Sequence, residues 1–300
     1  TGPDTEPGDP AEPRYRLLES PRALALELLA ASGEETAVRI AHAHAMAQQL
    51  ALAEQALHAG RLGVEAWRHE GELDLDNARA ALTQARAVGD TGLVLALGAA
   101  LLPRLPGSLH DERLALADLV EPLIAAFPDA ALRLRAWLGL YLALAHTRPQ
   151  RSDAAAQQAL AEARQSATTT GDPWPLYRAL CSAVGIVHDA SEAARAQALL
   201  DEARALEDPA WPPIRRREAV RVQAMIAWGC GTADETLQLQ RELLALGLAA
   251  GDLSLMTRIN LADIELAAGH ARAAAANGQV LVALLENRRD TSLLAYARIH

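Results

Sequence analysis

Arginine returns at a fixed offset in this chain. Six residues beyond an aspartate that recurs along the sequence stand Arg135, Arg178, Arg258 and, last, Tyr296. Arg216, Arg217 and Arg221 fall near the equivalent place in a repeat lengthened by Pro212-Pro213. A guanidinium offers its N–H donors in a planar fork that matches carboxylate or phosphate. A stacked column of such forks on one face would bind an anionic group. The alternative is that each arginine pairs with the acid of a neighbouring repeat or is solvated. Trp137 and Tyr141 are i, i+4 neighbours, and Trp174 and Tyr177 occupy the next repeat. Such a stripe fits packing between repeats as well as a ligand cradle. The candidate binding residues are Arg135, Trp137, Tyr141, Tyr177, Arg178, Arg217, Arg221, Arg258 and Tyr296.

Other chemistries find little support. His42 and His44 are two apart, so on a helix they point to different faces and do not make a metal pair. The carboxylate pairs Asp74/Asp76 and Glu34/Glu35 sit at helix starts, where they complement the helix dipole. The chain contains no lysine, its 28 basic residues all being arginine. That removes the phosphate-binding loop of the G-x-x-x-x-G-K-[ST] form and any lysine nucleophile or base. No catalytic residue, metal or cofactor is expected. Net charge is −10, which argues against direct nucleic-acid binding by this segment. Cys181 and Cys230 lack C-x-x-C spacing and read as reduced thiols of a cytoplasmic protein. No apolar run reaches membrane-spanning length.

The elements that must position these residues follow from the recurring aspartates. Asp90, Asp129, Asp172, Asp208, Asp252 and Asp290 are separated by 39, 43, 36, 44 and 38 residues. Each lies between Ala/Leu/Arg-rich helical runs. A period near 40 marks an array of helix pairs, in which stacked neighbours supply the core that a single pair lacks. The expected fold is all-α: an α-α superhelix of tetratricopeptide-like repeats over residues 73–300. First helices are expected near 91–104, 130–146, 174–188, 213–229 and 253–268, with another from 291. Second helices are expected near 74–88, 111–126, 152–169, 191–206, 233–249 and 271–288. Residues 1–13 read as a disordered arm. Residues 14–18 alternate as a short strand. Helices follow over 21–32 and 34–58, then a shorter one from Leu62 to His69 with Gly71 as a break. The chain stops inside a first helix, as a piece of a longer protein would.

Two segments carry a family resemblance. Residues 14–34, RYRLLESPRALALELLAASGE, are followed by Arg39-Ile40-Ala41-His42. This resembles the stretch after the ATPase core of bacterial STAND-class signal-transduction ATPases, many of them transcriptional regulators. Leu24 stands where that pattern has an aromatic residue. Asp76-Asn77-Ala78-Arg79-Ala80-Ala81-Leu82 resembles the D-N-[LF]-R-A-A-L that opens their helical-repeat array. The resemblance implies that residues 14–72 hold the end of a winged-helix segment plus junction helices. It also implies an ATPase domain upstream and a non-catalytic sensor or interaction role for the repeats. The partner would be a small-molecule effector or a protein, and self-association is possible on such a surface. The rival expectation is a stand-alone protein-interaction scaffold without switching.

Overall fold

In the computed structural model, residues 19–106, 108–185 and 192–288 are described. They form helices α1 (Glu19–Ser32), α2 (Glu35–His58), α3 (Val64–Leu73), α4 (Leu75–Ala87), α5 (Thr91–Leu101), α6 (His110–Ile124) and α7 (Ala130–Leu144). There follow α8 (Pro149–Thr170), α9 (Trp174–Val184), α10 (Ala193–Ala205), α11 (Pro213–Cys230), α12 (Ala233–Ala249), α13 (Leu255–Ala267) and α14 (Ala271–Arg288). The described residues contain no strand. The expected arm, the strand at 14–18 and Tyr296 lie outside them. Among the described residues no helix is long and apolar enough to cross a membrane, and no group of acids, His and Cys could hold a metal.

The chain is an α-α array of helix pairs, each helix packed on its sequence neighbour. First helices α5, α7, α9 and α11 also touch one another in order and make one row. The recurring aspartates explain the period. The Asp90 carboxylate accepts from the Leu93 amide, and Asp129 accepts from those of Ala131 and Leu132. Asp172, Asp208 and Asp252 accept from the amides of Trp174, Ala210 and Ser254. Asp90, Asp129 and Asp172 thereby satisfy amides left open at the starts of α5, α7 and α9, while Asp208 and Asp252 close the turns that lead into α11 and α13. Gly89, Gly171 and Gly251 have φ of +72°, +67° and +70°, the left-handed turn that ends a helix. A Gly-Asp pair therefore stops one helix and ties down the turn into the next.

The main core runs through α2 and α4–α9, with Leu95, Leu97, Leu140 and Leu144 fully buried. A second cluster joins α9, α10 and α11 around Tyr177 and Leu200. Alanine supplies the close approaches: Ala78, Ala81 and Ala85 of α4 are wholly buried. Arginine forks staple the second helices to one another. Arg79 of α4 grips Glu112 of α6 at 2.7 and 2.6 Å, Arg151 of α8 reaches Asp118 and Glu121 of α6, and Arg164 of α8 reaches Glu202 of α10.

Two local expectations are corrected. Gly71 does not break a helix, because α3 runs through it to Leu73. A Cβ there would come 3.4 Å from Arg104 Cδ, so the glycine makes room for an arginine stem rather than for a turn. The helix expected near 152–169 starts earlier, at Pro149, where the missing N–H costs nothing.

Candidate functional site

α2 is the element that builds the site. Ala43, Met46, Leu50 and Leu57 are buried along one stripe at helical spacing, and Glu54 falls on the same stripe. That stripe lies across the row of first helices, and an arginine from each repeat in turn meets it. Arg104, just past α5, donates from Nη2 to the Leu50 carbonyl at 3.0 Å while stacking 4.7 Å over Trp67. Arg135 of α7 donates from Nε to Glu54 Oε2 at 2.7 Å. Arg178 of α9 stands with Nη1 3.6 Å from Glu54 Oε1. Arg215 of α11 donates from Nε to the His58 carbonyl at 2.7 Å, its guanidinium 4.6 Å over Trp174. The arginines thus converge on the Glu54 carboxylate, on the Leu50 carbonyl and on the His58 carbonyl at the negative end of α2.

A pocket of about 210 Å³ opens between α2, α7 and α9. Its polar wall is Glu54, Gln55, His58, Arg135 and Arg178; Ala51, Ala131, Leu134, Leu138, Trp174 and Pro175 form the apolar wall. Burial would raise the Glu54 pKa, but Arg135, then Arg178, overcome it and hold the carboxyl below its ordinary range. Burial, reinforced by Arg178, pulls His58 down to about 3, against the opposing pull of Glu54 and Glu218. The pocket at neutral pH therefore holds a carboxylate, a neutral imidazole and two guanidiniums.

The His58 shift has a measurable sign. A folded pKa below the unfolded value near 6.5 means that the unfolded chain takes up the proton first as pH falls. Stability is then full above about pH 6.5 and declines on acidification. His58→Gln is expected to remove a stability loss of about 1 kcal/mol per pH unit between about pH 6 and 5, read as a flatter urea-midpoint profile.

The other sequence candidates lie elsewhere. Arg217 donates to Asp252 at 2.7 Å, Arg221 to Glu218 at 3.2 Å, and Arg258 to the Leu253 carbonyl at 3.3 Å. Trp137 and Tyr141 are buried in the main core. Tyr177 is fully buried, edge-on to Trp211 at 4.9 Å, and its hydroxyl accepts from the Ala219 amide at 3.1 Å. These aromatics are packing side chains, not pocket walls. Only Arg135 and Arg178 of the predicted column share the pocket. Sequence reasoning missed Glu54, His58, Arg104 and Arg215. The signal for Glu54 was a charged residue on an otherwise apolar stripe.

A second contact joins distant parts of the chain. The amides of Val64 and Glu65, opening α3, donate to the carbonyls of Ala250 and Gly251 at the end of α12, each at 3.0 Å. Asp252, 5% exposed, sits between Arg217 and Arg68, the latter at 3.2 Å. A Cβ on Gly251 would approach Gly63 Cα to 3.2 Å, so the two backbones touch.

Compared with known proteins, the chain matches no family model and no curated sequence.

Proposed function

We propose that this chain is the non-catalytic sensor or interaction region of a signalling ATPase and transcriptional regulator. Its recognition surface is the row of first helices with α2 laid across it. The observation that carries this reading is the convergence of Arg104, Arg135, Arg178 and Arg215, one from each successive repeat, on α2 beside an open pocket. A small effector or a protein partner that favours one seating of α2 would bias the arrangement of the repeats, and through them an upstream ATPase domain. The segment itself needs no cofactor and makes no direct contact with nucleic acid in this scheme. The resemblance of residues 14–42 and 76–82 to STAND-class ATPases supports the placement in such a protein.

The test uses the full-length protein. Glu54→Gln keeps a hydrogen-bonding group of the same shape but weakens the hold on Arg135 and Arg178. It is expected to change the basal rate of ATP hydrolysis about fivefold or more, in line with a coupling of near 1 kcal/mol. A full-length reading frame without a nucleotide-binding core, or a rate unmoved by Glu54→Gln, would overturn the sensor reading.

A further inference from the structure

Of the arginines that meet α2, Arg104, Arg135 and Arg215 each donate a well-placed hydrogen bond to it. Arg178 does not. Its nearest approach to Glu54 is 3.6 Å, and among the described residues its guanidinium donates to no acceptor. Its side chain is only 21% exposed, so most of its hydration has been removed. Arg135, by contrast, is committed to Glu54, with Nε and Nη2 at 2.7 and 2.6 Å from Oε2. A guanidinium that has lost most of its hydration without gaining a well-placed acceptor is a costly arrangement that a bound anion would relieve. Arg178 and Arg135 both line the same pocket.

The local charge agrees. The chain carries −10 overall, yet Arg135, Arg178 and Arg215 gather here around Glu54. Asp172, which acts on Arg215, is occupied in capping α9, and Glu218, which acts on Arg178, is held by Arg221. Like charges repel unless an anion bridges them. Glu54 supplies one such anion and leaves room for a second, singly charged group. A dianion such as phosphate would meet stronger repulsion from the adjacent Glu54 carboxylate. Facing the guanidiniums are Leu134, Leu138, Ala131 and Pro175, which suit a small apolar body.

We infer that the pocket between α2, α7 and α9 binds a small monocarboxylate with an apolar body, its carboxylate accepting from Arg178 while the neighbouring Arg135, held on Glu54, adds positive charge alongside. The biological use of the pocket rests on the sensor reading above; the binding itself does not.

Calorimetric titration of the chain with benzoate, with neutral benzamide and with inorganic phosphate tests this. Benzoate is expected to bind with one-to-one stoichiometry, and phosphate about tenfold more weakly or not at all. Arg178→Gln should weaken benzoate about tenfold or more, the worth of one charge-assisted hydrogen bond. Because Arg178 also pairs with Glu54 at 3.6 Å and lies 5.7 Å over Trp174, some loss of melting temperature is expected, so binding is compared at a temperature where circular dichroism shows both proteins fully folded. Arg178→Lys, which keeps the charge without the fork, should fall between the two. Benzamide binding as well as benzoate, phosphate binding more tightly, unchanged binding by Arg178→Gln, or no benzoate heat at about 10 mM would each overturn the proposal. If benzoate fails while Glu54→Gln shifts hydrolysis in the full protein, the sensor reading stands and the ligand class falls. The reverse pattern leaves a carboxylate pocket with no sensing role.

Discussion

Glu54→Ala is expected to destabilise the fold by about 3 kcal/mol or more, the range found when one partner of a buried ion pair is removed. The Glu54 side chain is 13% exposed and its partner Arg135 is 20% exposed, so neither group can turn to water without moving α2. The loss is larger than the pair is worth, because the variant leaves the Arg135 guanidinium buried without its anion. Adding Arg135→Leu to the alanine variant should therefore recover a good part of the loss, and a double-mutant cycle on urea midpoints measures it. Loss of the same magnitude in single and double variants would show that α2 is seated by its apolar stripe alone. The acid side of the pH profile has a fixed sign. The Glu54 carboxyl lies below its ordinary range when folded, so its contribution is complete above the ordinary carboxylate pKa and lost as pH falls through the lower, folded value.

Tyr177→Ala is expected to cost about 4 kcal/mol, within the range for deletion of a buried aromatic side chain. The ring is fully buried between Trp174, stacked at 5.7 Å, and Trp211, edge-on at 4.9 Å. It fills the seam between α9 and α11, a place rigidly fixed by the Pro212-Pro213 start of α11 and so poorly able to collapse onto a void. Tyr177→Phe isolates the hydroxyl that the Ala219 amide reaches, and should cost about 1 kcal/mol. Equilibrium urea unfolding followed by tryptophan fluorescence reads both. A loss below about 2 kcal/mol for the alanine variant would mean that the seam repacks freely.

The helix-pair array was legible in the sequence because its punctuation is local. A glycine that must turn left-handed and an aspartate that caps the next helix act within a few residues of themselves, so they recur in the sequence wherever they recur in space. The site was only half legible, because an offset along the sequence does not say which helices meet. Arg135 and Arg178 stand on α7 and α9, the two first helices that wall the pocket with α2. Arg258, at the same offset from its aspartate, stands on α13 and donates to the Leu253 carbonyl of its own turn, where Ser254 is left-handed at φ 53°. The destination of α2 was not legible at all. Its partners lie up to 157 residues away, and nothing within its own 24 residues names them.

The contact of α3 with the end of α12 alters how the array should come apart. A linear stack of repeats holds only nearest-neighbour contacts, so it can fray from either end, one repeat at a time. Here the Arg68–Asp252 and Val64–Ala250 contacts return the early chain to the fourth pair, with α2 bridging the helices between. Residues 35–252 are thereby closed into a loop with no free end. Opening any one pair within it strains the closure or breaks α2 from its seat, which couples those helices into one cooperative unit. Among the described helices, α1, α13 and α14 lie outside the closure and keep the piecemeal freedom of an ordinary stack. The closure also imposes an order on synthesis. α2 leaves the ribosome well before Arg135, Arg178 and Arg215, and until the last of them emerges it is held only by its nearer neighbours α4 and α5.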